Sequence, residues 1–81
     1  MDIKVTKRNG RLQDFRVEKI NANVEGACEG ISDVSVSEIV LDAQLQLYDK
    51  ITTKEIDTAL ILSAREKIEK EPNYSYAAGR L

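Results

Sequence analysis

Apolar and polar positions alternate at the start of the chain and then change period. Ile3-Lys4-Val5-Thr6-Lys7 alternates with a period of two, carries β-branched side chains and runs into Asn9-Gly10. Both residues of an Asn-Gly pair tolerate positive φ, so the pair predicts a tight hairpin turn. The return arm, Leu12 to Val17, has Leu12, Phe15 and Val17 as its apolar members. Its imperfect alternation predicts a short strand with a bulge or an early exit into helix. A two-stranded hairpin is marginal alone and must lie against another element.

From Val17 the period becomes about 3.6. Val17, Ile20, Val24, Ala27, Cys28 and Ile31 fall at helical spacing, and Gly30 offers a natural end to that helix. Ser35-Val36-Ser37-Glu38 then predicts a reciprocal capping box at the start of a second helix. Its stripe is Val36, Ile39, Val40, Ala43 and Leu47, and Leu41, Leu45 and Tyr48 widen it, which predicts burial on more than one side. Thr52 and Glu55 repeat the capping spacing before a third helix over 53–70, which buries Ile56, Ala59, Leu60, Ala64 and Ile68. Glu71-Pro72-Asn73 stops that helix. Tyr74, Ala77, Ala78 and Leu81 share one face of a short fourth helix. That pattern is cut at Leu81 without a cap, so residues 1–81 are expected to be a piece of a longer polypeptide. The expected fold is α+β, mainly α. A hairpin over 3–17 caps a bundle of three to four helices in one domain, 1–81, with Val24, Ala27, Ile39, Ala43, Leu60 and Ala64 in the core.

Composition narrows the function. The chain has 81 residues, 42% apolar and 32% charged, with no histidine and one cysteine. This excludes a histidine triad, a zincin site, an internal disulfide and a thiolate metal cluster. Cys28 lies in the apolar stripe of the first helix and reads as a small buried hydrophobe. Glu25, Glu29, Asp33, Glu38 and Asp42 read as solvated or capping carboxylates, not as acid–base pairs. No run is long enough to span a membrane and the first residues lack a signal-peptide core, so a cytoplasmic location is expected. Residues 1–20 hold six basic and three acidic side chains, net +3, whereas the rest hold six basic and eleven acidic, net −5. A small anion would settle at the N-terminal end, while a long nucleic acid would be repelled by the remainder.

Lys7 and Arg8 stand beside the turn, and Lys19 lies in the first turn of the next helix. Folding the hairpin onto that helix brings these cations to a helix N-terminus, whose amides and dipole also favour phosphate. Phe15 and Ile20 then form an apolar wall suited to a base. The other reading is a solvated basic hairpin with Phe15 and Ile20 in the core, since no glycine-rich phosphate loop is present. Thr53 begins the third helix, where its hydroxyl either serves the cap or reaches an anion.

Val5-Thr6-Lys7-Arg8-Asn9-Gly10, then Phe15 with Glu18-Lys19-Ile20, then Ile51-Thr52-Thr53-Lys54-Glu55-Ile56 resemble, in order and separation, the ATP-cone. This is an N-terminal nucleotide-binding regulatory module. Pro72-Asn73-Tyr74-Ser75-Tyr76-Ala77-Ala78-Gly79-Arg80-Leu81 is similar to a segment of class I ribonucleotide reductase large subunits. The resemblance spans 3–81. It implies a domain without catalytic residues or a metal site that binds ATP or dATP, with Mg2+, as an allosteric effector. ATP would leave the reductase on and dATP would turn it off by changing how its subunits assemble.

Carried over by the resemblance, Val5, Lys7 and Arg8 meet the nucleotide from the first strand and turn. Gln13, Asp14, Phe15, Arg16 and Val17 frame it, Glu18, Lys19 and Ile20 contact it from the helix start, and Thr53 reaches it from the third helix. The implied partners are the rest of the large subunit and the radical-generating small subunit. Asp57 stands where some relatives have histidine, and a carboxylate beside a triphosphate weakens binding. The alternative is a degenerate cone that serves only as a structural or subunit-interaction module.

Overall fold

A computed structural model describes residues 3–81; Met1 and Asp2, which the expected domain 1–81 includes, lie outside the described residues. The elements in chain order are β1 (Lys4–Thr6), β2 (Leu12–Asp14), α1 (Val17–Cys28), α2 (Val36–Gln44), β3 (Ile51–Thr52), α3 (Thr53–Glu66) and α4 (Tyr74–Arg80). The architecture is α+β and mainly helical, as the periodicity predicts. α3 packs on α2 and α4, and α1 closes the bundle against the same two helices.

β1 and β2 pair antiparallel, with Lys4 opposite Asp14 and Thr6 opposite Leu12. The expected hairpin turn is present, in a three-residue form. The Gly10 amide donates to the Lys7 carbonyl at 2.9 Å and the Lys7 amide to the Arg11 carbonyl at 2.8 Å, leaving three residues in the loop. Only Gly10, at φ +82°, takes up the left-handed conformation there. Asn9 instead uses its side-chain oxygen to accept from the Arg11 amide at 3.0 Å. This is the type I turn with a glycine bulge that three-residue hairpins favour. β2 ends at Asp14 and the chain leaves early for α1, as expected. Leu12, read as an apolar member of that arm, is 51% exposed, because the hairpin's outer strand has nothing packed over it at that end.

A third strand was not legible in the periodicity. β3 pairs parallel with β1, Val5 opposite Ile51 and Thr6 opposite Thr52, giving the order β2-β1-β3. This is the support the hairpin needs. The preceding segment is latched to β1: the Lys4 amide donates to Asp49 Oδ1 at 2.8 Å, the Lys50 amide to the Lys4 carbonyl at 2.8 Å, and Thr6 Oγ1 to the Lys50 carbonyl at 2.7 Å. Lys50 has φ +68°, a conformation that costs a non-glycine residue about 1–2 kcal/mol. Those hydrogen bonds hold it there.

The core contains all six residues expected in it, Val24, Ala27, Ile39, Ala43, Leu60 and Ala64, together with Val5, Ile20, Ile51, Ile56 and Tyr74. Gly30 follows α1 at φ +77°, as predicted. Three readings need correction. Leu41, Leu45 and Tyr48 do not widen the buried stripe of α2 but are 61%, 86% and 50% exposed. α2 buries one face, through Ile39, Val40 and Ala43, and stops at Gln44. α3 ends at Glu66, short of Lys70, and continues as turns in which the Lys70 and Glu71 amides both reach the Lys67 carbonyl. Pro72 restricts the residue before it to extended backbone, which favours an earlier helix end. The capping box at Ser35 is only half formed. Ser35 Oγ accepts from the Glu38 amide at 3.2 Å, but the Ser35 amide donates to the Tyr74 hydroxyl at 2.9 Å, and that hydroxyl donates to Glu38 Oε2 at 3.4 Å. A side chain from α4 has taken the place of the direct return bond. Thr52 and Glu55, by contrast, form the complete box.

Candidate functional site

Where β1 and β2 lie against the first turns of α1 and α3, a cleft of about 230 Å3 opens. Three local regularities build it. Val5 and Lys7 are two residues apart along β1, as are Gln13 and Phe15 along the return arm, so each pair presents to one side. On α1, Lys19, Ile20 and Asn23 recur at helical spacing behind the N-cap residue Arg16, and on α3 Thr53, Ile56, Asp57 and Leu60 do the same. Val5, Ile20, Ile56 and Leu60 are buried and form an apolar floor, with Phe15 half-buried beside them. Lys7, Arg16, Lys19 and Asp57 are exposed at its edges.

Beyond Thr53 the cleft continues as an open groove along Lys7, Arg8 and Asn9, bordered also by Thr6, Gly10, Thr52, Lys54 and Asp57. Of the residues singled out in the sequence, Val5, Lys7, Gln13, Asp14, Phe15, Arg16, Lys19, Ile20 and Thr53 line the cleft, and Arg8 lines the groove only. Val17 packs against the core and Glu18 is exposed, and neither lines the cleft. Asn23, Ile56 and Leu60 line it without having been singled out. Asn23 is four residues beyond Lys19, and Ile56 and Leu60 are three and seven beyond Thr53. Extending the α1 face by one turn and the α3 face by two finds them.

The electrostatics favour an anion at the groove end. Asp14 is paired with Lys4, and that hydrogen bond and the ammonium's charge hold the Asp14 carboxyl below the usual carboxylate range and raise Lys4. The charge of Asp14 is thereby offset by a neighbour. At the head of α3 the capping box occupies the amides of Thr52 and Glu55, at 3.2 Å and 3.1 Å, and leaves those of Thr53 and Lys54 outside it. The Thr6–Thr52 pairing engages the Thr53 amide, which leaves the Lys54 amide and the positive end of the helix dipole at the groove that Lys7 and Arg8 line. The Tyr48 hydroxyl donates to Glu55 Oε2, which lowers the Glu55 pKa first through that bond and then through Thr52, and raises Tyr48.

An apolar floor with a cationic, amide-rich exit suits a flat apolar group carrying an anionic tail. Cys28 is not at the cleft but buried in the bundle core, where desolvation pushes its thiol up. Among the described residues there is no cluster of three metal-ligating side chains and no helix long and apolar enough to cross a membrane.

Comparison with known proteins gives a consistent result. The ATP cone domain matches residues 3–81. The chain is 45% identical over 80 residues to the ribonucleoside-diphosphate reductase subunit alpha of Helicobacter pylori, covering 98% of this chain and 10% of that protein. It is 40% identical over 78 residues to ribonucleoside-diphosphate reductase 1 subunit alpha of Salmonella typhimurium, and 37% over 78 residues to that of Escherichia coli. Each of these covers 95% of this chain and 10% of the relative. The chain thus spans about a tenth of the length of the curated relatives it matches.

Proposed function

The chain belongs to the ATP-cone family, and from that premise we propose that its cleft binds ATP or dATP as an allosteric effector and thereby sets the overall activity of a cytoplasmic ribonucleoside-diphosphate reductase. The observation that carries this reading is the junction of an apolar floor, Val5, Phe15, Ile20 and Ile56, with a cationic groove at the head of α3. The base rests against the floor. The triphosphate runs out toward Lys7, Arg8, the Thr53 hydroxyl and the Lys54 amide at the head of α3. Arg16 and Lys19 add positive charge at the rim, and Gln13 and Asn23 supply directional hydrogen bonds to the base or sugar. The cleft alone is smaller than the roughly 300 Å3 at which small-molecule sites begin, which fits a nucleotide that leaves its phosphates in the open groove. Mg2+ would accompany the triphosphate and offset its charge, and Asp57, which lines both cleft and groove without a bonded cation among the described residues, would be the carboxylate beside it.

The domain itself holds the switch and not the chemistry. The rest of the large subunit and the radical-generating small subunit respond to it, ATP favouring the active assembly and dATP the inactive one. A long nucleic acid is no partner in this reading, because the acidic remainder of the domain repels one.

Calorimetric titration of the full-length protein with ATP and dATP tests the assignment. Lys7→Ala is expected to weaken the cone's binding step by about tenfold, the scale of one charge-assisted hydrogen bond. Its unfolding temperature without ligand should stay unchanged, because an exposed cation contributes little to stability. Unaltered affinity, or an equal loss of stability without ligand, makes Lys7 structural and leaves the degenerate cone as the better reading.

A further inference from the structure

The segment between α2 and α3 touches both walls of the cleft. On one side Asp49 and Lys50 are hydrogen-bonded to Lys4 and Thr6 of β1, the strand that carries Val5 and leads into Lys7. On the other side the Tyr48 hydroxyl donates to Glu55 Oε2. The second oxygen of the same carboxylate accepts from the Thr52 amide at 3.2 Å and from the Thr52 hydroxyl at 2.9 Å. Thr53, the next residue, lines both cleft and groove. The half-exposed Tyr48 side chain adds nothing to the core, so the fold gains little from it beyond this bond.

From this geometry we infer that Tyr48 is a positioning residue for the nucleotide: through Glu55 it holds the capping box of α3, and with it the Thr53 side chain and the Lys54 amide, in one arrangement beside β1. Without the phenol, one Glu55 oxygen loses its partner and the carboxylate is free to swing between Thr52 and solvent. The capping box then holds the first turn of α3 in a range of orientations. A phosphate meeting that turn has to order it first, which lowers affinity without removing any group that touches the ligand. Asp49 and Lys50 hold the β1 side independently, so the effect falls on the α3 wall alone. Tyr48 never contacts the nucleotide in this scheme.

The inference rests on the nucleotide reading of the cleft, and the test separates the two. ATP is titrated into the full-length protein and its Lys7→Ala, Tyr48→Phe, Glu55→Gln and double Tyr48→Phe/Glu55→Gln variants, following the binding step that Lys7→Ala weakens. Hydrogen exchange at residues 53–56 is measured without ligand. Tyr48→Phe is expected to weaken ATP by about three- to tenfold, the scale of one lost hydrogen bond, and to speed exchange at 53–56. The double variant should bind no worse than Glu55→Gln, since both act through one carboxylate. If Lys7→Ala weakens ATP while Tyr48→Phe binds as the parent does, the positioning role is wrong and the nucleotide site stands. A Tyr48→Phe variant that binds more weakly with exchange at 53–56 unchanged also overturns the role, because the effect then bypasses the head of α3. If Lys7→Ala leaves ATP binding unaltered, the cleft is not the nucleotide site and both readings fall together.

Discussion

Two carboxylates on the cleft have opposite circumstances. Asp14 is matched by Lys4, whereas Asp57 faces cleft and groove with no cation bonded to it among the described residues. One turn of α3 separates Asp57 from Thr53, so a phosphate at Thr53 lies close to that charge. At about 6 Å the repulsion amounts to about 1–3 kcal/mol for each phosphate charge, and the exposure of Asp57 places it at the lower end. Asp57→Asn is therefore expected to tighten ATP and dATP about three- to tenfold at low salt in the absence of divalent cation, with Mg2+ narrowing the gap. Equal affinities in calorimetry would show that the Asp57 charge is fully screened. The depressed groups also set a pH dependence. Asp14 and Glu55 have lower pKa values folded than unfolded, so the stability they contribute is present above the ordinary carboxylate pKa and is lost as pH falls through the folded one. The raised Tyr48 and Lys4 act in the other direction: their contribution is present below their ordinary values and is lost only at alkaline pH. The unfolding temperature should therefore fall below about pH 4. Asp14→Asn and Glu55→Gln should each flatten that limb of the profile, and a slope unchanged in both variants would show that other carboxylates set it.

The helices were legible in the chain because each carries its own apolar stripe, and α2 and α3 a capping residue at the start as well. The elements that escaped were those that depend on distant partners. Ile51-Thr52 is too short to show a period and sits inside a capping motif; it becomes a strand only because Lys4 and Thr6 fix the residues before it. Ser35 and Glu38 have the spacing of a reciprocal box, but Tyr74, far along the chain, takes the return position. Leu41 and Leu45 match a buried stripe in composition, yet burial requires a neighbour on that side, and among the described residues no element covers them. Much the same holds for the site: the cations and Thr53 could be read from the sequence, while Asn23 and Leu60 entered it through helix geometry. The complete box at Thr52 makes a separate prediction. Thr52→Ala removes the acceptor of the Glu55 amide and one donor to its carboxylate. It should cost about 1–2 kcal/mol in chemical denaturation, and a loss under a few tenths would mean that Glu55 and Tyr48 hold the turn without it.

At the scale of the whole molecule, charge and shape place the nucleotide end. Of the six basic residues among 1–20, Lys7 and Arg8 line the groove and Arg16 and Lys19 the cleft, four cations at one end of the domain. The core joins the two ends: Ile20, Ile56 and Leu60 belong both to the floor of the cleft and to the bundle interior. A ligand that alters their packing is therefore coupled to α1 and α3, which pack directly on α2 and α4. Exposed Leu41, Leu45 and Leu62 lie on α2, its end and α3, so the bundle has an apolar surface as well as a ligand cleft. The measurement that bears most directly on the central claim is a crystal structure of the full-length protein grown with dATP and Mg2+. The base should lie against Val5, Phe15, Ile20 and Ile56, with the phosphates along Lys7, Arg8 and the head of α3. A nucleotide found only elsewhere in the protein, with this cleft holding solvent, would contradict the claim.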